Sequence, residues 1–313
     1  MKTLFKTLAV TALAVSATVG AAQADGERYV LVSHAPDSDS WWNTIKNGLA
    51  LGCEQMEVEC EYRNPPTGDL ADMARIIEQA AASGPDGIIT TLADSDVLSG
   101  PIRNAVDSGI DVIIINSGTP EQARDIGALM YVGQPEYDAG FAAGQRAAGD
   151  GIESFLCVNH YIAQPASSQR CRGFADGLGV ELGDQMIDSG TDPSEIQNRV
   201  MAYLNANPDT DAVLTLGPTP ADPTILALEE MGLAGDIYFG TFDLGGNIVP
   251  AIRDGIIEWG IDQQPFLQAY LPVVVLTNYH RFGVLPGNNI NSGPGFVTAD
   301  ALDLVAELAG EYR

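Results

Sequence analysis

The sequence predicts an α/β fold of two lobes, each a mostly parallel sheet covered by helices on both faces. Three observations predict it. Short β-branched runs alternate with helix-length segments along almost the whole chain, as in sheets whose parallel strands are joined by covering helices. The series occurs twice, over residues 27–130 and again over 131–260. The strands run out into polar or glycine-containing loops, among them Ser33-His34, Thr90-Thr91, Asn116-Ser117-Gly118, Asn159-His160, Gly217-Pro218 and Phe242-Asp243. In open α/β sheets these carboxyl ends are where ligands bind. Two such units facing each other would make a cleft; a single doubly wound enzyme domain shares the alternation, and periodicity alone does not exclude it.

The elements follow in order. Residues 1–24, MKTLFKTLAVTALAVSATVGAAQA, join a basic start (Lys2, Lys6) to an apolar stretch, Leu8–Val19, and a small-residue exit, Ala22-Gln23-Ala24. That is the layout of a signal peptide cleaved after Ala24, so the mature protein is expected to be exported from the cytoplasm. The apolar stretch is short for a membrane span, and no cysteine follows it to take a lipid. Tyr29–Ser33 (YVLVS) is then a strand and Trp41–Gln55 a helix. Val58–Tyr62 is a strand, Asp69–Ser83 a helix, Gly87–Thr91 (GIITT) a strand and Leu98–Ser108 a helix. Asp111–Asn116 (DVIIIN) is a strand bounded by Ser117-Gly118, and Tyr131–Gly133 a short one. The second series runs through helix Tyr137–Gly149, rich in Ala and Gly, strand Glu153–Asn159, helix Gln169–Leu178 and strand Gln185–Asp188. It continues with helix Pro193–Asn207, strand Ala212–Leu216, helix Ala221–Met231, strand Ile237–Phe242 and helix Gly246–Asp254.

Composition narrows the function. The formal charge of the chain is −27, and loss of Lys2 and Lys6 with the leader leaves Lys46 as the only lysine. Charge of this sign repels nucleic acid and anionic lipid, so neither is an expected partner. It marks a surface solvated in salty water outside the cytoplasm. Four cysteines, Cys53, Cys60, Cys157 and Cys171, permit three pairings in an exported protein. The local pairs Cys53–Cys60 and Cys157–Cys171 are favoured over four buried thiols. Metal ligation fits poorly, with wide cysteine spacing and only His34, His160 and His280 as imidazoles. No Gly-x-Gly-x-x-Gly follows the first strand, no P-loop lysine is present, and no serine sits in a Gly-x-Ser-x-Gly elbow. The expectation is a binding protein without cofactor or metal, not an enzyme.

Two adjacent tryptophans, Trp41 and Trp42, stand beside Asp37, Asp39 and Ser40 at the mouth of the first strand-to-helix turn. With them go Asp94-Ser95-Asp96, Ile113-Ile114-Ile115-Asn116, Val132-Gly133, Arg170-x-Arg172-Gly173-Phe174, Gly240-Thr241-Phe242-Asp243 and Ile261-Asp262-Gln263-Gln264-Pro265. In this order, over the whole mature chain, they resemble the ribose- and galactose-binding type of periplasmic sugar-binding proteins of ABC importers. That resemblance implies the type I periplasmic binding fold, two Rossmann-like lobes joined by a three-segment hinge. It places residues 25–130 with 262–288 in the first lobe and 131–261 with 289–313 in the second. Hinge segments are expected near Met130–Gln134, Gly260–Gln264 and Pro286–Gly295, with Gln264–Asn278 a first-lobe helix.

The resemblance also implies a site. Paired aromatics close on the faces of a sugar ring, the place held by Trp41 and Trp42, since a sugar offers C–H-rich faces and a hydroxyl rim. Asn116 stands where the family has a carboxylate, and Ser117 and Ser168 where it often has arginines, with Gln169 and Arg170 close enough to compensate. Asp243 matches the aspartate that takes two hydroxyls and Gln263 a hinge glutamine, whereas Gly217-Pro218 replace a usual asparagine. His34 and His160, each at a strand end, are candidate replacements, and Asp39 and Asp94 complete the set. The implied function is capture of an uncharged monosaccharide or polyol by a monomer that delivers it to an ABC transporter permease. The alternative is a receptor for a sugar-like signalling molecule in chemotaxis or quorum sensing.

Overall fold

The computed structural model describes residues 26–313; the expected signal peptide, residues 1–24, lies outside them. The first lobe is built from β1 (Arg28–Val32), α1 (Trp42–Met56), β2 (Glu59–Arg63), α2 (Leu70–Ala82), β3 (Gly87–Thr90), α3 (Ser95–Asp107), β4 (Asp111–Ile115), α4 (Pro120–Asp125) and β5 (Met130–Gly133). The chain crosses and forms α5 (Glu136–Gly149), β6 (Phe155–Asn159), α6 (Pro165–Leu178), β7 (Met186–Asp188), α7 (Pro193–Ala206), β8 (Ala212–Thr215), α8 (Pro218–Met231), β9 (Tyr238–Phe242), α9 (Ile248–Arg253) and β10 (Trp259–Asp262). It returns as α10 (Pro265–Phe282), adds β11 (Ile290–Asn291) to the first sheet and β12 (Gly295–Val297) to the second, then ends in two 3-10 turns.

The sheets have the orders β11-β5-β4-β3-β1-β2 and β12-β10-β9-β8-β6-β7, and every pairing is parallel except β10 with β12. Interior strands such as β3 and β8 are buried at every position, because helices cover both faces; their unbroken apolar runs follow from that. Each lobe accordingly has two cores, one per face. Ile77, Leu98 and Ile114 lie in one core of the first lobe, and Leu31, Ile45 and Val273 in the other. Polar side chains start the helices: Asp69, Asp94 and Asp192 each accept from backbone N–H groups of the first turn.

The lobe boundaries differ from those expected. Met130–Val132 pairs with Ile113–Ile115, so β5 completes the first sheet, and the chain crosses after Gly133. Ile290–Asn291 extends that same sheet beside β5, so the third crossing comes after 291, not at 289. The tail also departs from the second lobe. Leu302 and Val305 lie in the second-lobe core, but Asn47 in α1 donates to the Glu311 carbonyl at 2.9 Å and Tyr312 packs on Phe266 of α10 at 5.4 Å.

The strand registers reveal an internal equivalence. Val32 aligns with Thr90, and Thr90 with Ile114; Val158 aligns with Thr215, and Thr215 with Thr241. Counting onward, Ser33 corresponds to Asn159, His34 to His160 and Asn116 to Asp243. The next strands match Ile115 to Val132 and Phe242 to Ile261, which makes Gln134 the counterpart of Gln263. Asn116 and Asp243 both adopt left-handed backbone, φ 58° and 64°, a conformation that Asn and Asp tolerate better than most residues. Each bonds by its own N–H to the neighbouring strand, Asn116 to Val132 O at 3.2 Å and Asp243 to Ile261 O at 2.7 Å.

Two close helix pairs fix the frame. Gly140 and Gly144 of α5 face Gly173 and Gly177 of α6, and a Cβ on any of the four would collide with backbone of the opposite helix. Gly140 would strike the Arg170 carbonyl and Gly173 the Tyr137 carbonyl. In the first lobe Gly48 of α1 plays the same part against the Phe266 carbonyl of α10. The disulfides Cys53–Cys60 and Cys157–Cys171 tie α1 to β2 and β6 to α6, with Cα separations of 6.1 and 5.9 Å. Both expected local pairs are present.

Candidate functional site

A cavity of about 80 Å³ lies between the lobes, at the carboxyl ends of both sheets. From the first lobe it is lined by His34 after β1, by Asp39, Trp41 and Trp42 at the entry to α1, and by Asn116 and Ser117 after β4. The second lobe contributes His160 and Tyr161 after β6, Gln164, Ser167 and Arg170 of the α6 entry, Leu216–Thr219 after β8, and Asp243 after β9. Glu136 and Gln263 line it from the first and second crossings.

The tryptophans divide the aromatic wall between them. Trp42 is 3% exposed and belongs to the first-lobe core. Its ring meets His34 edge-on at 5.2 Å and 84°, and Trp41 at 5.2 Å and 73°. Trp41 is only partly buried, and its N–H donates to Asp39 Oδ1 at 3.2 Å. Burial raises the Asp39 carboxyl above its ordinary range.

Both histidines are held neutral. Desolvation lowers His34 to about 4, and lowers His160 to about 3 with the nearby Arg170 charge adding to it. Neutral imidazole both donates and accepts. His34 uses Nδ1 toward Thr91 Oγ1 at 3.0 Å, whereas His160 Nδ1 is buried without a partner.

An amide network joins the cavity to the crossings. Gln263 Nε2 donates to Asp243 Oδ1 at 2.6 Å. Asn116 Nδ2 donates to Gln268 Oε1 at 3.1 Å, and Ser117 Oγ to Asn116 Oδ1 at 3.0 Å. Gln268 Nε2 reaches Ser292 Oγ of the third crossing at 3.0 Å. Burial pushes Asp243 up to about 7, against the Arg170 charge and the Gln263 bond, which pull it down.

Arg170 is the guanidinium on the cavity wall, and its charge is already matched. Nε and Nη2 donate to the two Glu136 oxygens at 2.6 and 2.9 Å, and Nη1 to the Leu216 carbonyl at 2.9 Å. The guanidinium also lies 4.4 Å from the Phe242 ring centroid. Such a two-pronged pair is among the stronger charge-assisted contacts. The glycine contact of α5 with α6 brings the first turns of those helices together and so sets Glu136 against Arg170.

Of the residues singled out in the sequence, Trp41, Trp42, His34, Asp39, Asn116, His160, Arg170, Asp243 and Gln263 converge on this cavity. Asp94 and Ser168 do not. Asp94 Oδ1 caps α3, accepting from Asp96 N at 2.8 Å and Val97 N at 3.2 Å. Ser167 lines the wall in place of Ser168, because positions three apart share a helix face and Ser167, not Ser168, is three before Arg170. Glu136, Tyr161, Gln164 and Thr219 had not been anticipated. The signal for Glu136 is indirect: a buried Arg170 requires a counter-charge, and Glu136 opens the helix whose glycine spacing matches that of α6.

A larger concavity, about 630 Å³, lies at the opposite edge of the second sheet near Asp211 and Tyr238. Asp211 is spent there on Ser154 and the Glu153 N–H. Among the described residues no group of three His, Cys, Asp or Glu is placed to hold a metal, and no helix is long and apolar enough to cross a membrane.

Comparison with known proteins agrees with this architecture. A periplasmic binding protein domain matches residues 29–282. A carbohydrate transporter protein from Acidothermus cellulolyticus, solved in complex with myo-inositol, is 31% identical with a TM-score of 0.83, over 91% of this chain and 99% of that one. The xylose/arabinose-binding protein XylF of Sulfolobus acidocaldarius is 25% identical over 87% of this chain and 71% of its own length. The D-ribose/D-allose-binding protein of Pseudomonas aeruginosa is 29% identical over 64% of this chain and 65% of its own. The chain belongs to the periplasmic binding protein family and is homologous to sugar and polyol receptors of ABC transporters.

Proposed function

We propose that the interlobe cavity captures one neutral polyhydroxylated ring, a pentose or a cyclitol, and that the closed protein presents it to an ABC transporter permease. The observation that carries this reading is the Arg170–Glu136 pair. With its guanidinium balanced, the wall has no spare positive charge for a carboxylate or phosphate, whose burial without compensation is costly. Neutral imidazoles, carboxamides and Asp243 remain, an array of donors and acceptors suited to hydroxyls. Trp41 and Trp42 supply the apolar surface for the ring's C–H face.

Function then follows from population shift. A ring that touches groups of both lobes binds the closed form better than the open one and selects it. The relatives named for, or solved with, myo-inositol, xylose, arabinose, ribose and allose support neutral rings of this size. The test is calorimetry with these five compounds beside galacturonate and ribose 5-phosphate. One-to-one binding of at least one neutral ring, with the acidic compounds silent, is the expected outcome. Binding confined to the acidic compounds refutes the reading.

A further inference from the structure

The cavity does not end at its own wall. Asp39, Trp41, Tyr161, Pro218 and Thr219 also line a cleft of about 480 Å³ that opens beside it between the lobes. We propose that this cleft is a second subsite, and that the physiological ligand is a neutral glycoside: one ring in the inner cavity, joined through an ether oxygen to a second sugar unit outside. The proposal rests on the reading of the inner cavity given above.

Size is the first argument. The inner space is about 80 Å³, the size of a single-ring site, while the cleft is several times larger and shares Asp39, Trp41, Tyr161, Pro218 and Thr219 with it as a common wall. Lining chemistry is the second. Trp41 and Tyr161 give the shared rim two aromatic rings, and Ser38, Ser40 and Asn43 add small polar groups. An open valence is the third. Asp222 Oδ2 accepts from Asn247 Nδ2 at 2.9 Å, but its Oδ1 is buried and has no donor. A buried acceptor left unmatched is unfavourable, and a turn of the carboxylate that offers it to a ligand hydroxyl would relieve this. The cation of the cleft, Arg313, has its Nε 2.8 Å from an Asp262 oxygen, although neither atom is matched by a well-aligned hydrogen bond. The Asp39 and Asp222 carboxylates of the lining accept from hydroxyl donors and disfavour anions.

Calorimetry on the mature protein tests this with three pairs: xylose and xylobiose, arabinose and arabinobiose, myo-inositol and its galactoside. In at least one pair the glycoside is expected to bind about tenfold tighter than the ring alone. Asp222→Ala should remove that gain and leave the ring's affinity within about twofold, with thermal melting confirming that the variant is folded. Rings that bind as tightly as their glycosides, or an Asp222→Ala loss equal for both, overturn the second subsite alone. Silence from all six compounds removes the inner-cavity reading and this proposal with it.

Discussion

Glu136→Gln separates charge from shape at the cavity wall. The side chain keeps its size, but Arg170 loses its counter-charge, and one of the two oxygens now at 2.6 and 2.9 Å becomes an NH₂ group facing the guanidinium. Breaking a buried ion pair by removing one partner costs about 3–5 kcal/mol. The lower end applies here. One acceptor survives on glutamine, the Leu216 carbonyl and the Phe242 face stay in place, and Asp243 already feels the Arg170 charge. A loss of about 3 kcal/mol should appear in urea unfolding. The freed guanidinium should also admit an anion. Galacturonate or xylonate, expected to be silent against the parent, should bind the variant, while the neutral ring weakens. A variant as stable as the parent, with the same preference for neutral ligands, would show that Glu136 does not neutralise Arg170, and the argument for an uncharged ligand would lose its footing.

Trp41→Ala should lower ring affinity by more than about 1 kcal/mol with little loss of stability, whereas Trp42→Ala, removing a ring 3% exposed, should cost about 3–5 kcal/mol of folding stability; calorimetry and urea midpoints on both variants check the contrast, and equal stability losses contradict it. Gly173→Ala drives a methyl into the Tyr137 carbonyl of α5, so a cost of about 1–3 kcal/mol and weaker ring binding are expected from the same assays; an unchanged melt would mean the helices part freely. Ligand-free stability should peak between pH 6 and 7. Asp243, raised from 3.8 to about 7, favours folding fully below pH 3.8 and loses that contribution as pH climbs through 7, while His34 and His160, lowered from 6.5 to about 4 and 3, contribute above 6.5 and lose it as pH falls through those values. Asp243→Asn should flatten the alkaline limb; a limb that persists unchanged assigns it to other groups.

Much of this was legible because period and punctuation survive in single residues. Leu31, Ile89, Ile113 and Val158 stand in runs too apolar for anything but a doubly covered sheet, and the polar loops after them marked the side on which the interlobe cavity lies. Short pieces were less visible. Gly260–Gln264 was read as hinge, and its first residues proved to belong to the strand Trp259–Asp262, because four residues carry no period of their own. Tyr131–Gly133 was seen as a strand but given to the wrong lobe: its partner is fixed by the ladder with β4, a long-range fact. The site showed the same limit. Residues that follow a strand directly, such as His34 and Asn116, were placed by the strand itself. Ser168 failed by one residue of helix phase, and Asp94 because the same Asp-x-x pattern that marks a site also caps a helix. Glu136 was hidden since its role depends on a contact between two helices that only their glycines allow.

The internal equivalence explains why the two walls of the cavity behave differently. Thr90 and Thr215 hold the same register, so Thr91 and Leu216 are counterparts as His34 and His160 are. In the first lobe that neighbour is a hydroxyl, and it satisfies the His34 ring. In the second it is leucine, whose carbonyl is occupied by Arg170, and His160 Nδ1 is left without a partner. Gln134 and Gln263 diverge likewise: one turns its amide to Glu136 at 3.0 Å, the other to Asp243. On the first-lobe side His34 is thus already bonded and Trp42 is locked in the core, although Gln134 Oε1 is buried without a partner. The second brings open valences, on His160 beside the cavity and on Asp222 in the adjoining cleft. A hydroxyl-rich ligand seated against the finished wall gains most by completing the unfinished one, and that gain exists only when the lobes meet. Under the proposed function, closure would draw on these groups of the second lobe, whose valences are open only once burial has removed water from them.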